Sequence, residues 1–199
     1  MVTSEEKIVA AAIKHLNQEP TASMARLAEA IGISRATLHR HFASREALIH
    51  ALGVRSIDRW EESQDNAGMA AAAESGDAER ITAALHQVVG LYLVDADEFG
   101  FALTDHFMAE MPDLVARSEE LVEREVTFYT AAQRAGVLRD DLPAHWIAES
   151  LYGLLIGARD SLRWGTVARR HIDRLVLTTF LDGNAARPTP PLSHPRGIT

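Results

Sequence analysis

The segment from Leu27 to Phe42 constrains the fold most, because it joins two short apolar helical patterns through a built-in turn. Gly32 stands where the first pattern stops, and glycine readily adopts the left-handed conformation that ends helices. Ser34 follows at a position where a side-chain oxygen can cap the second helix. The spacing therefore predicts two helices that meet at a tight turn, as in a helix-turn-helix.

The second of these helices has a buried side and an outer side. Leu38 and Phe42 fall on the apolar side, together with Ile31 and Ile33 of the preceding segment. The outer side carries Arg35, Ala36, Thr37, His39 and Arg40. A helix face of this width fits the major groove of DNA, where arginine and threonine contact base edges. The spacing alone fits a small helical bundle with no partner equally well.

The distribution of charge agrees with DNA binding. The whole chain has 199 residues and a formal net charge of -8. Residues 1–50 hold six Lys and Arg against five Asp and Glu, whereas residues 51–199 hold 14 against 23. The acidity therefore belongs to the rest of the chain, and the first quarter is free to approach phosphate.

Composition excludes several other classes of protein. The chain has no cysteine, which excludes a disulfide framework, a cysteine zinc site and a thiol nucleophile. Its longest apolar runs fall far short of the roughly 18 to 20 residues that span a bilayer. We expect a cytoplasmic protein with no membrane partner, no metal and no cofactor.

Helical spacing continues through the rest of the chain, and no stretch shows sustained strand alternation. The predicted helices cover Ile8 to Leu16 and residues 23–31, 34–41, 44–60, 77–95, 98–109, 112–135, 143–164 and 167–182. Residues 64–76 are predicted to be a loop or a broken helix. The proline-rich tail at 183–199 is predicted to be extended or disordered.

Four segments taken together resemble the N-terminal domain of TetR-family transcriptional regulators: Ile8–Ile13, Leu27–Ser34, Thr37–Phe42 and Ser44–Leu48. The resemblance implies an all-α fold, with a three-helix helix-turn-helix DNA-binding domain at 1–50 and a larger helical ligand-binding and dimerisation domain at 51–182. Two positions depart from the family pattern. His39 stands where members usually have Tyr, and residues 18–20 replace the usual glycine before the second helix.

The resemblance also assigns roles to single residues in DNA binding. Arg35 and Thr37 match positions that face base edges, while His39 matches the usual Tyr and can donate to a phosphate. Ser23 and Arg45 match helix N-terminal positions that hold the DNA backbone. An alternative for Arg45 is an ordinary solvated surface arginine.

The predicted helix at 143–164 is apolar on two faces, so it needs two neighbours. Leu155 and its companions can face their own subunit, while Gly153 and Gly157 permit the close approach of a helix from a second copy. The resemblance implies that the last two long helices form a dimer interface. The predicted interface residues are Trp146, Ser150, Gly153, Gly157, Trp164, Ile172, Leu175, Val176 and Thr179. Alternatively, the apolar stripes of both helices belong to the core of one chain.

Glu125 falls in the middle of an apolar helix face in the predicted helix at 112–135. An unpaired buried carboxylate is costly, so this one must pair, become protonated, reach water or border a cavity. We place it in a predicted ligand pocket. The other candidate pocket residues are Trp60, His86, Phe99, His106, Phe107, Met111, Tyr129 and Tyr152.

These observations favour a ligand-responsive repressor that binds a palindromic operator as a homodimer and is released by a small-molecule effector. A constitutive DNA-binding protein is an alternative, although it would not need about 130 further helical residues. An enzyme is a weaker alternative. Asp105, His106 and Glu110 offer an acid/base set, but the chain has no zinc-protease motif, nucleophile elbow or phosphate-binding glycine loop.

Overall fold

The computed structural model describes residues 5–100, 102 and 110–186. This part of the chain forms nine α-helices and confirms the all-α fold with an N-terminal helix-turn-helix. The helices are α1 (Glu5–Leu16), α2 (Met24–Ile31), α3 (Arg35–His41), α4 (Arg45–Asn66), α5 (Met69–Ser75), α6 (Ala78–Glu98), α7 (Pro112–Arg134), α8 (Ala144–Arg163) and α9 (Arg169–Asn184). None of these helices is long and apolar enough to cross a membrane.

Serine caps define the starts of α2, α3 and α4. The hydroxyls of Ser23, Ser34 and Ser44 accept hydrogen bonds from backbone N–H groups in the first turns of these helices. Gly32 ends α2 in the left-handed conformation with φ of 78°. Gly32 and Ser34, the two residues from which the turn of the helix-turn-helix was predicted, therefore form that turn.

Two main clusters of buried side chains lie along the chain. The first unites α1, α2, α3 and the start of α4, and includes Leu27, Leu38 and Leu52. The second lies among α5 to α9 and includes Phe128, Tyr129 and Phe180. Phe99, which directly follows α6, packs into the first cluster. The C-terminal end of α6 is therefore anchored in the core of the helix-turn-helix region.

The fourth helix is longer than its predicted limit near Trp60, because two polar residues beyond that point are buried by tertiary contacts. The Ser63 hydroxyl donates to Asp95 at 2.5 Å, and the Gln64 amide donates to the Leu121 carbonyl at 3.0 Å. The segment predicted as a loop or a broken helix is a broken helix. It breaks at Ala67 and at Gly68, which has φ of 67°, before α5 begins.

The C-terminal prediction needs a correction, because order extends further than residue 182. The last helix continues to Asn184, whose side-chain amide donates to the Phe180 carbonyl at 2.9 Å. Ala185 then forms an antiparallel bridge with Leu138. Residues 187–199 and most of the predicted helix at 98–109 lie outside the described residues.

Candidate DNA-reading surface and ligand cavity

The third helix presents the predicted reading surface to solvent. Arg35, Ala36, His39 and Arg40 are exposed, and Thr37 is partly exposed. The hydroxyl of Thr37 lies 2.9 Å from the hydroxyl of Ser34. This contact holds the Thr37 side chain at the N-terminus of α3. The structure therefore groups these five predicted side chains on one short helix, and their contacts with bases stay a prediction.

Ser23 and Arg45 hold the segment between α1 and α2. Exposed Ser23 caps α2, while the guanidinium of Arg45 donates to the Pro20 carbonyl at 2.9 Å and to the Ala22 carbonyl at 3.3 Å. Arg45 is therefore not a simply solvated arginine, and its contact with the DNA backbone stays a prediction. It joins the start of α4 to the residues just before α2.

A cavity of about 350 Å³ opens among α4, α6, α7 and α8. Its described lining combines aromatic rings, aliphatic side chains and carboxylates. The lining residues are Ser56, Ile57, Trp60, Tyr92, Asp95, Ala96, Phe99, Ala102, Ser118, Val122, Glu125, Ala148, Glu149, Leu151, Tyr152 and Leu155. This volume falls within the range of small-molecule sites.

Glu125 lies in the cavity wall with only 5% of its surface exposed. Three uncharged donors converge on one of its oxygens, Oε1. They are the Tyr92 hydroxyl at 2.5 Å, the Trp60 indole N–H at 2.9 Å and the Gln64 amide at 3.4 Å. No Arg or His in the described structure pairs with this carboxyl group, so its hydrogen-bond partners carry no compensating positive charge.

Burial raises the pKa of Glu125 to about 7, and the hydrogen bonds from Tyr92, Trp60 and Gln64 reduce that rise. The group is therefore poised between its acid and carboxylate forms at neutral pH. Burial also raises the pKa of the Tyr92 hydroxyl well above its usual range, and the neighbouring Glu125 adds to this effect. Tyr92 thus stays protonated and remains a donor.

The other two carboxylates of the lining differ in their surroundings. Asp95 is held by Arg59 Nε at 2.9 Å and by the Ser63 hydroxyl. Burial raises the pKa of Asp95, whereas the contacts with Ser63 and Arg59 oppose the rise. Glu149 lies on α8 and is exposed. The negative charge of Asp95 is therefore compensated by Arg59, and that of Glu149 is solvated.

Four of the predicted pocket residues line the cavity: Trp60, Phe99, Glu125 and Tyr152. The other described candidates lie elsewhere. His86 is exposed on α6, and partly buried Met111 packs against the clusters beneath α4. Tyr129 is fully buried against Phe128 and Phe180, and no partner within the described structure bonds its hydroxyl.

His106 and Phe107, the last two predicted pocket residues, lie outside the described residues. Tyr92 and Asp95 were not predicted from the sequence, although a signal was present. Tyr92, Asp95, Ala96 and Phe99 are spaced as one face of a helix, with an aspartate in an otherwise apolar stripe. This is the same kind of irregularity that identified Glu125.

Most residues of the surface predicted to form a dimer interface are exposed to solvent in the single chain. Trp146 is 60% exposed, Trp164 72% and Leu175 42%. Gly153, Gly157 and Thr179 are also exposed, and Ser150 is partly buried. Ile172 and Val176 differ from this set, because they are buried in the chain's own core between α9 and its neighbours. Those two residues must therefore be removed from the predicted interface.

The histidines and carboxylates do not gather into a metal site in the described parts of the chain. No group of three or more of these side chains lies close enough to hold an ion there. His145 instead lies 3.8 Å from Glu123, and the Nε2 atom of His50 donates to the Asp113 carboxylate at 2.7 Å.

Comparison with known proteins identifies both the N-terminal domain and the fold. The family model described as bacterial regulatory proteins, tetR family, matches residues 8–52. The curated regulator NfxB of Pseudomonas aeruginosa, described as an HTH-type transcriptional regulator, is 26% identical over 195 residues. That alignment covers 94% of this chain and 98% of NfxB.

Solved structures show the same fold over nearly the whole chain. The TetR-like regulator LfrR of Mycobacterium smegmatis, in complex with proflavine, matches with a TM-score of 0.72 and 23% identity, covering 89% of this chain and 94% of LfrR. SmeT, the repressor of the Stenotrophomonas maltophilia multidrug efflux pump SmeDEF, matches with a TM-score of 0.61 and 13% identity, covering 99% and 98%. SmeT has also been solved with triclosan, with a TM-score of 0.56 and 14% identity over 98% of both chains.

Proposed function

We propose that the chain, whose residues 8–52 match the tetR family model, is a TetR-family ligand-responsive repressor. It binds a palindromic operator as a homodimer, and a small molecule in the cavity releases it. One observation carries the proposal: a single continuous helix, α4, begins at the DNA-reading region and contributes Trp60 to the wall of the cavity.

The two ends of α4 are attached to different parts of the molecule. At its start, Arg45 bonds the Pro20 and Ala22 carbonyls beside α2. Further along, Trp60 donates to Glu125 on α7. A ligand that displaces the Trp60 indole changes the tilt of α4, and the tilt moves the helix-turn-helix. In a dimer, that movement alters the distance between two reading helices that must match half-sites about 34 Å apart.

The relatives support a small-molecule effector over constitutive DNA binding. The solved structures include LfrR in complex with proflavine and a complex of SmeT with triclosan. The cavity of about 350 Å³ provides the matching feature in this chain. A protein that binds DNA without sensing a ligand has no use for a cavity against the helix that supports its reading head. The relatives are regulators, and none of them favours an enzymatic function.

The first test is selection of DNA sites by the purified protein, followed by a comparison of two arginine variants. Selection is expected to yield an imperfect palindrome whose binding weakens as salt rises. Arg35→Ala should relax preference at one base pair in each half-site and cost about 1 to 3 kcal/mol for each lost bidentate contact. Binding is measured by titration of labelled operator and of random DNA.

Arg80→Ala is the matched control, because Arg80 is an exposed arginine on α6 and its replacement removes the same charge. It should leave both affinities and the base preference unchanged. A selection without two-fold symmetry would contradict the dimeric repressor. Equal losses on operator and random DNA for Arg35→Ala would contradict its role as a base-reading residue.

A further inference from the structure

Resting on the proposed function, we propose that the effector is an organic cation with a flat apolar body. Its positive charge lies against Oε2 of Glu125, and its rings lie between the aromatic side chains of the cavity. This assigns the chemical class of the ligand to the site formed by α4, α6, α7 and α8.

The first observation is that the two carboxyl oxygens of Glu125 accept different numbers of hydrogen bonds. The Tyr92, Trp60 and Gln64 donors all reach Oε1. No donor from the described part of the chain reaches Oε2, although the side chain is only 5% exposed and lies in the cavity wall. Oε2 is not one of the fully buried unpartnered atoms of the described structure, so it keeps a small accessible surface towards the cavity. A positively charged group in the cavity would meet there a carboxylate oxygen that the chain's own donors leave unoccupied.

The second observation is the sign of the charge around the cavity. Its described lining contains the carboxylates of Asp95, Glu125 and Glu149, and none of those lining residues is Lys or Arg. Two arginines lie nearby, but both are engaged. Arg59 pairs with Asp95 and Glu62, and Arg159 bonds Asp160 and the Gly100 carbonyl. An anionic ligand would meet the charge of Glu125, which no Arg or His in the described structure compensates, whereas a cation would relieve it.

The third observation is the aromatic character of the walls. Trp60, Tyr92, Phe99 and Tyr152 all contribute to the lining. The faces of aromatic rings attract cations, most strongly in sites sheltered from water. The same rings provide apolar area for a flat molecule. Charge and shape therefore favour the same class of ligand.

Several groups surround Glu125 and determine how binding depends on pH. The ionisable side chains that face Glu125 are Tyr92 on α6, Tyr129 on α7 and Glu149 on α8, while α4 presents the uncharged donors Trp60 and Gln64. Both tyrosines titrate far above neutral pH, so Glu125 is the buried group that changes charge near pH 7. Affinity for a permanent cation should rise as pH increases through about 7 and level off near pH 8, where Glu125 is mostly ionised.

The test uses two probes that share one biaryl skeleton and differ in charge. N-methyl-4-phenylpyridinium is a permanent cation, and 4-phenylpyridine is uncharged at about pH 8, where Glu125 is mostly ionised. Calorimetric titration of the full-length protein should show the cation binding about tenfold or more tighter than the neutral probe. Glu125→Gln keeps the shape of the side chain and should abolish this preference.

Glu119→Gln serves as the control, because it removes the same charge from an exposed position on α7. It should retain the preference for the cation. If Glu125→Gln does not fold, the pH profile of the wild-type protein decides, since only the cation should gain affinity between about pH 6 and 8. Equal affinities for the two probes, no binding of the cation, or a preference that survives in Glu125→Gln would each overturn the proposal.

Release of operator DNA is measured in parallel, so that this inference and the proposed function can fail separately. A cation that binds through Glu125 without weakening operator binding would uphold the cation site and contradict the proposed induction. Release by 4-phenylpyridine with no preference for the cation would uphold the repressor and contradict the cation site.

Discussion

Folding places Glu125 among uncharged donors, and its pKa rises from 4.5 to about 7. The folded state therefore holds this proton more tightly than the unfolded state. The associated stability is fully present below about pH 4.5 and is lost as pH rises through about 7. Between about pH 5 and 8 the loss should be roughly 2 to 3 kcal/mol of unfolding free energy.

Urea denaturation of the wild-type protein and of Glu125→Gln at both pH values measures this loss. The variant lacks the titrating group, so the difference between the two proteins should change by that amount. Glu119→Gln, whose carboxylate is exposed, should follow the wild type. Parallel pH profiles for the wild type and Glu125→Gln would show that the buried carboxyl does not titrate in this range.

At the same scale, sequence predicted the unusual residue but not its partners. Glu125 was visible because a carboxylate interrupts an apolar helical face. The donors Tyr92 and Gln64 could not be assigned to it, because they come from other helices. The stripe that contains Tyr92 is recognisable in the sequence, but it does not reveal which helix it faces. Their role arises only when α4 and α6 pack against α7. Spacing along one helix contains no information about donors that tertiary packing supplies.

At the scale of the elements, α6 provides a second connection between cavity and reading head. The Asn17 side-chain amide donates to the Glu98 carbonyl at 2.6 Å and lies 3.4 Å from the Asp97 carbonyl. These carbonyls belong to the last turn of α6, and Phe99 beyond them lines the cavity while packing into the first core. The end of α1 is thus attached to a helix end beside the ligand site.

Asn17→Ala should weaken the response to effector more than it weakens operator binding itself. Removing the amide loosens the attachment of α1 to α6, and we expect the ratio of operator affinities without and with effector to fall about fivefold. The measurement is operator titration at zero and saturating N-methyl-4-phenylpyridinium. Asn66→Ala, at an exposed position at the end of α4, is the control. An unchanged ratio for Asn17→Ala would remove α6 from the coupling.

The elements themselves were predictable where local chemistry determines them. Gly32 and Ser34 marked the turn before α3, and Pro112 marked the start of α7. The length of α4 was not predictable, because Ser63 and Gln64 are polar residues that usually indicate a surface or a loop. They are buried here by partners 32 and 57 residues away in sequence. A polar residue is a poor indicator of a loop or a surface position when a residue distant in sequence satisfies its hydrogen bonds.

At the scale of the whole molecule, the open face on α8 makes a clean test of assembly possible. Gly157 is exposed, and a Cβ atom added to it would meet nothing within 4 Å. Gly157→Leu should therefore leave the fold of one chain intact. If this face packs against a second copy, the larger side chain should weaken the dimer by roughly 1 to 3 kcal/mol and reduce operator affinity with it.

Sedimentation at low micromolar concentration measures the dimer, and thermal melting checks the fold. Gly90→Leu on α6 is the matched control, since its added Cβ also meets nothing within 4 Å and the residue lies outside the predicted interface. It should leave the sedimentation unchanged. An undiminished dimer for Gly157→Leu would place the interface on another surface.

The hydrogen bond from the Trp60 indole to Glu125 also affects the intrinsic tryptophan fluorescence of the protein. The chain has three tryptophans, and two of them, Trp146 and Trp164, face solvent. Trp60 alone has its ring in the cavity wall beside an ionisable carboxyl group. Its fluorescence responds to the charge on that group and to any molecule stacked on the ring, whereas Trp146 and Trp164 do not line the cavity. The protein thus contains an intrinsic optical reporter of cavity occupancy, and effectors can be screened without attaching a dye.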